Sequence, residues 1–363
     1  MKKILSLVLV LCICVSFAAC NAKDPNNLFA MTTVAVTAST DCETVSLEEP
    51  QTGNEYYQYG NMQKNVPSGN FMRLGNEVLF GYLSNGRFRL YYYDLMTGEV
   101  HLYCKDATCK HNSCVASRML GNLEVYNGKI YILTFEEMPA EIDGQEKKLL
   151  TKARVKSFWH YGGKLYARTA DSSLVVFEDD SDEPQVIVED FPCYWEVIFD
   201  HYLYAADGSN IMRVDLAAEE PKLEVLIPNA AGITDGRHFY YVDDKTWFLY
   251  RCDMDGSNVQ LLLDKPVLLA SINFDDEYFY YRRYDGIPLY EGEDCHDIYR
   301  FPKDDPSQIE KIVTLEEAVY QVFTVPGTGK IFVGTIAADD EECPIYVMNT
   351  DGTSLSRLKS PEY

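Results

Sequence analysis

The chain has 363 residues, with 32 Lys and Arg against 56 Asp and Glu, and a formal charge of -24. That balance excludes a nucleic-acid binder, which needs clustered cations against phosphates. It also argues against electrostatic adsorption to anionic lipid headgroups, and suits a soluble surface on an exported protein.

The N-terminal stretch is MKKILSLVLVLCICVSFAAC. Lys2 and Lys3 form a positive region, and Ile4 to Phe17 an apolar run of 14 residues. Such a run is too short for a comfortable bilayer span and right for a secretory signal. Ala18 and Ala19 then lead into Cys20. The arrangement resembles a bacterial lipobox, with Phe17 where Leu is usual. It implies a signal peptide over 1–19, lipidation of Cys20, and anchoring to the outer face of the cytoplasmic membrane. An ordinary secretory signal is the alternative. Removing the two lysines takes the charge from -24 to -26. Export leaves Cys42, Cys104, Cys109, Cys114, Cys193, Cys252, Cys295 and Cys343. An even number outside the membrane permits disulfides.

Residues 20–68 are rich in Thr, Asn, Glu and Gln, and read as a tether. From residue 69 the text repeats. A turn-forming pair separates two apolar runs in RLGNEVLFGY, VYNGKIYIL, HYGGKLYAR, IFDHYLYAA, ITDGRHFYY, NFDDEYFYY and VPGTGKIFVG. The second residues of these pairs are Asn76, Gly128, Gly163, His201, Gly236, Asp276 and Gly329, spaced 52, 35, 38, 35, 40 and 53 apart. A period of this length points to a solenoid, a propeller or an array. The third unit splits into RVKSFWHY, KLYARTA, LVVFED and QVIVED, four runs of strand length with turn residues between them. Later hairpins carry Asp-Gly pairs, which supply positive φ at tight turns. No amphipathic helix competes. The expected fold is all-β, a seven-bladed β-propeller of four antiparallel strands per blade over 69–363. The weakest unit is the second, whose outer hairpin must come from EIDGQEKKLLTKARV. Six or eight blades follow if the ends pair otherwise. The 27 Tyr and 17 Phe suit packing between sheets.

The pattern FYY…LYRCDMDGSNVQLLL resembles the propeller repeats of TolB-like bacterial proteins and of the YWTD type, although the YWTD tetrapeptide itself is absent. The lipobox, YGNMQKNVPSGNFMRLGNEVLFGY and Cys104-x4-Cys109-x-His111 together resemble a group of lipoproteins from Gram-positive gut anaerobes. The resemblance covers about residues 56–358. It implies a propeller and leaves its task open.

The segment CKDATCKHNSC, 104–114, falls between the last strand of the first blade and the first strand of the second. Cys104, Cys109, His111 and Cys114 offer thiolates and an imidazole, a soft set suited to tetrahedral zinc. A local disulfide is a second reading, with the third cysteine left over or paired to Cys42. A redox thiol activated by Lys105, Lys110 and His111 is a third, and a reduced structural loop a fourth. Elsewhere, Cys295 and Cys343 precede third strands of neighbouring units and are placed to bridge. Cys252 reads as a buried thiol, and Cys193 lies at another crossing.

Catalytic signatures are missing. There is no G-x-S-x-G and no H-E-x-x-H, and the six histidines are scattered. Asp253 to Asn258 superficially resembles a calcium loop but falls where a hairpin turn is due. Tyr194, Trp195, Trp247, Tyr284 and Tyr290 are expected on the propeller face that carries the cysteine segment. Aromatics among Asp, Asn and Arg suit sugar stacking or peptide capture; packing is the plainer reading. The sequence thus points to a monomeric surface protein binding a glycan, a peptide or a partner protein. An envelope enzyme acting on glycan or peptide is the alternative, and a scaffold a further one.

Overall fold

In the second strand of each repeat the apolar residues do not alternate with polar ones. They run on, as in Ile130, Tyr131, Ile132 and Leu133, all buried. A strand buried on both faces must be packed between two sheets. The computed structural model meets that demand with a ring of sheets. It describes residues 71–358 except 85–86, 105, 107, 112–113, 118, 145, 179–181, 192–194, 285–293, 326 and 337–343. The signal segment, Cys20, the tether and Cys42 lie outside the described residues.

Seven four-stranded antiparallel sheets follow one another along the chain. They span 72–102, 119–149, 155–188, 195–228, 230–263, 273–314 and 318–357, and are called blades 1 to 7. The seven-bladed propeller is therefore the fold. Each turn pair read from the sequence joins the first strand of a blade to its second. The Asn127–Gly128 and Gly162–Gly163 loops hold both residues at positive φ, which matches the twist of tight hairpins. Blade 2 does take its outer hairpin from the expected segment, pairing Pro139–Asp143 with Glu146–Leu149. Among the described residues the only helical turn is a 3-10 turn at Leu269–Ser271, and no helix is long and apolar enough to cross a membrane.

Burial falls outward through a blade. The first strand of blade 7, Ala318–Val325, is buried throughout, whereas the last strand of blade 3, Gln185–Val188, is exposed or half-buried. Neighbouring blades are stapled by buried polar groups as well as by apolar contact. Glu124 accepts the His160 backbone N–H at 2.9 Å and lies 3.1 Å from its Nδ1. Glu196 accepts from Ser157 at 3.1 Å and from Arg168 Nε at 3.2 Å. Asn273 Nδ2 donates to the Val322 carbonyl at 2.9 Å.

Every blade is built from four consecutive strands, so blades 7 and 1 exchange none. Their seam is closed by side chains. The Phe71 ring centroid lies 4.9 Å from that of Phe323 and 4.6 Å from that of Phe332, with Phe80, Tyr91, Val325 and Ile345 in the same cluster.

Candidate functional site

Antiparallel order puts the blade-to-blade crossings and the loops between second and third strands at the same end of the ring. Two groups of predicted residues sit at that end.

The first is the cysteine segment. It leaves blade 1 after Val100–Leu102, and the Cys104 N–H donates to the Leu102 carbonyl at 2.7 Å. Asp106 then folds the chain back: its carboxylate accepts the Thr108 N–H at 2.8 Å and hydroxyl at 2.7 Å, and its carbonyl the Cys109 N–H at 3.1 Å. His111 lies in the left-handed region at φ 49°, an uncommon conformation for a residue with a side chain. That turn lets its N–H donate to Cys109 Sγ at 3.3 Å and brings Nδ1 within 3.6 Å of Cys114 Sγ. Ser117 fixes the exit, donating to the Cys114 carbonyl from its N–H at 3.0 Å and its hydroxyl at 2.8 Å. The ligand atoms of Cys104, Cys109, His111 and Cys114 all lie within 4.8 Å of one another.

This set suits a tetrahedral ion. Zinc bonds of about 2.0–2.3 Å place neighbouring ligand atoms roughly 3.5–3.8 Å apart. A disulfide would use two of the sulfurs and leave the imidazole without a role. Burial and the nearby Arg89 guanidinium hold His111 below its ordinary value, which keeps the imidazole neutral and able to ligate. The redox reading needed a thiol lowered by Lys105, Lys110 and His111. Burial instead pushes Cys114 up to about 11, and Cys104 beside it adds to the rise.

Sequence reasoning missed Arg89. It is 8% exposed, bridges through its backbone to Ser117, and its Nε has no hydrogen-bond partner among the described residues. A signal was available. In the strand Arg87–Asp94, period two puts Arg89 on the same side as Tyr91 and Tyr93, which are both buried.

The second group is aromatic. Trp247 ends the loop before the third strand of blade 5, and Tyr284 lies in the corresponding connection of blade 6. The Asp243 carboxylate accepts the N–H groups of Lys245 and Thr246 at 3.2 and 2.9 Å, and its carbonyl that of Trp247 at 2.9 Å. The turn leaves Trp247 at φ 60°. Val267 then ties the two loops: its N–H donates to the Trp247 carbonyl at 2.9 Å, and it bridges to Arg283. The Trp247 and Tyr284 rings meet with centroids 4.7 Å apart. Both residues are half-buried rather than fully exposed. Beside them the Arg283 guanidinium lies 4.1 Å from the Tyr299 ring centroid and pairs with Asp294 at 3.4 Å. Of the other expected face residues, Trp195 opens the first strand of blade 4 with its side chain outside the described residues, as are Tyr194 and Tyr290. Cys193 and Cys343 are outside them too, so the expected Cys295–Cys343 bridge lies outside the described residues, while Cys252 and Cys295 are buried. Asp253 to Asn258 forms the expected hairpin turn, with the Gly256 N–H on the Asp253 carbonyl at 2.9 Å.

No family model and no curated protein matches the chain. Solved structures do. The β-propeller domain of the Trilobed protease from Pyrococcus furiosus, described as having an open velcro topology, is 11% identical with a TM-score of 0.53, over 81% of this chain and 97% of that one. BamB from Moraxella catarrhalis is 12% identical with a TM-score of 0.43, over 74% and 80%. A TolB-type protein from Agrobacterium tumefaciens is 16% identical with a TM-score of 0.40, over 58% and 83%. At such identities the likeness shows the propeller fold alone.

Proposed function

We propose that this chain is an exported, lipid-anchored propeller that binds an extracellular ligand on the face carrying Trp247 and Tyr284. The observation that carries the reading is Trp247 at φ 60°. A bulky side chain in that region costs about 1–3 kcal/mol, and such strain clusters at ligand sites. Here it turns an indole onto the Tyr284 ring. Of the three ligand classes, a glycan fits best. Aromatic faces stack on the C–H face of a sugar, and Asp294 and Arg283 sit beside them to supply polar contacts. The lipobox residues around Cys20 and the charge of -24 support an anchored, soluble domain outside the cell. Anchoring then falls to the lipid.

Tryptophan fluorescence of the purified protein, titrated with a panel of soluble polysaccharides and peptides, tests this. A saturable response to a glycan is expected, weakened at least about tenfold in Trp247→Ala and Tyr284→Ala at unchanged melting temperature, in line with the loss of a central aromatic anchor. Equal binding by wild type and both variants would overturn it, as would silence across the panel.

A further inference from the structure

The cysteine segment does more than cross between blades. Cys104 and Cys114 pack against the cluster of Phe71, Phe80, Phe323 and Phe332 that joins blades 7 and 1. On its other side Val115 belongs to the cluster formed with Leu123, Ile130 and Ile132 of blade 2. The four ligand atoms therefore converge beside the one seam whose two blades do not follow each other along the chain.

We propose that Cys104, Cys109, His111 and Cys114 bind one zinc ion as a closed structural centre that braces the seam between blades 7 and 1, with Arg89 as its counter-charge. Four protein ligands fill a tetrahedral shell and leave no position for substrate, so the centre is structural rather than catalytic. Binding exchanges three S–H protons for one Zn2+ and leaves a net charge of minus one on the centre. The guanidinium of Arg89 offsets that charge from a site that is nine-tenths buried, and its unpartnered Nε is a donor available to a thiolate. Lys147 reinforces the positive side by donating to the Ser117 carbonyl. Fixing the segment in turn fixes two side chains that cover the aromatic cluster. A metal knot thus supplies locally what strand exchange would supply in a ring closed by shared strands. The proposal does not rest on the ligand read above.

The test is metal analysis of the full chain purified without chelator, thiol counting before and after a strong chelator, and hydrogen exchange of both forms. One equivalent of zinc is expected, with three thiols becoming reactive only after chelation. Cobalt exchanged into the site should show the visible bands of a tetrahedral thiolate complex. Chelation should raise exchange in the peptides around Phe71–Phe80 and Phe323–Phe332 and leave those of blades 4 and 5 unchanged. Arg89→Met should weaken zinc binding about ten- to a hundredfold. Because Cys109→Ser can fail to fold, the chelated wild type is the decisive sample. No metal, with two thiols missing until reductant is added, would overturn the proposal in favour of a disulfide. Three reactive thiols that bind no added zinc would overturn it as well. Zinc whose removal leaves the seam unchanged would overturn the bracing role.

Discussion

Glu196 shows how one residue can hold two blades. It is fully buried on the first strand of blade 4, yet its partners Ser157 and Arg168 belong to blade 3. Removing one member of a buried ion pair leaves the other charge unsolvated and costs about 3–5 kcal/mol. Arg168→Met is therefore expected to lower stability by about that amount. Glu196→Gln, which leaves Arg168 with 17% side-chain exposure, is expected to cost less, since the cation keeps access to water. Urea unfolding of both variants decides the order. The reverse order would mean that the carboxylate stays satisfied without Arg168.

At the scale of the element, blades 5 and 6 share a device. A turn Asp caps two backbone N–H groups and accepts a Tyr hydroxyl from the second strand: Asp235 takes Tyr240 at 3.1 Å, and Asp275 takes Tyr280 at 2.5 Å. An Arg on the third strand then reaches the next blade. Arg251 donates to the Lys303 carbonyl at 3.3 Å, and Arg300 to the Thr350 carbonyl at 2.6 Å. The receiving turns also press backbone against backbone. Gly352, at φ 82°, would place an added Cβ 2.3 Å from the Ile312 carbonyl oxygen of blade 6. Gly256, at the same φ, would place one 3.3 Å from the Leu226 carbonyl oxygen of blade 4, whereas at Gly144 (φ 60°) nothing lies within 4 Å. All three bear the left-handed penalty of about 1–2 kcal/mol on mutation to Ala. Gly352→Ala adds a clash that only separating the blades relieves. The expected order of destabilisation is Gly352→Ala, then Gly256→Ala, then Gly144→Ala at about 1 kcal/mol, measured by thermal or urea unfolding. Equal losses at all three positions would show that backbone strain acts alone.

Across the whole molecule the tyrosines dominate the response to alkali. Burial, first among the causes, pushes Tyr131, Tyr204, Tyr241, Tyr281 and Tyr299 up to about 12, and Tyr240, Tyr280 and Tyr346 higher still. The unfolded value is about 10. A raised folded-state value means that the native form keeps its proton after the unfolded form has lost it. The stabilisation is complete below about pH 10 and is lost as pH rises from there through about 12. Tyrosinate absorbance should accordingly show a late-titrating group whose ionisation coincides with unfolding. Smooth titration of all tyrosines near pH 10, with the fold intact, would contradict the burial of these hydroxyls.

How much of this was legible beforehand follows from the range of each interaction. Asn127–Gly128 and Gly162–Gly163 announce hairpins because positive φ is a property of one or two residues, and seven such signals at a repeating spacing point to seven blades, with six or eight left open until the pairing of the ends is seen. Strand lengths and the extent of burial follow from short apolar runs. The cysteine segment was visible for the same reason, since its three cysteines and histidine fall within eleven residues. What could not be read were contacts between residues brought together by ring geometry. Arg89 reaches the cysteine segment from the third strand of blade 1, Trp247 meets Tyr284 from another blade, and Phe71 closes on Phe323 across nearly the whole domain. The sequence by itself determined the strands, the turns and a local cluster of thiols and imidazole, all of which depend on local backbone preference and side-chain chemistry. Only the tertiary structure decided the partners, because the ring sets which distant faces touch, and no local propensity encodes that distance.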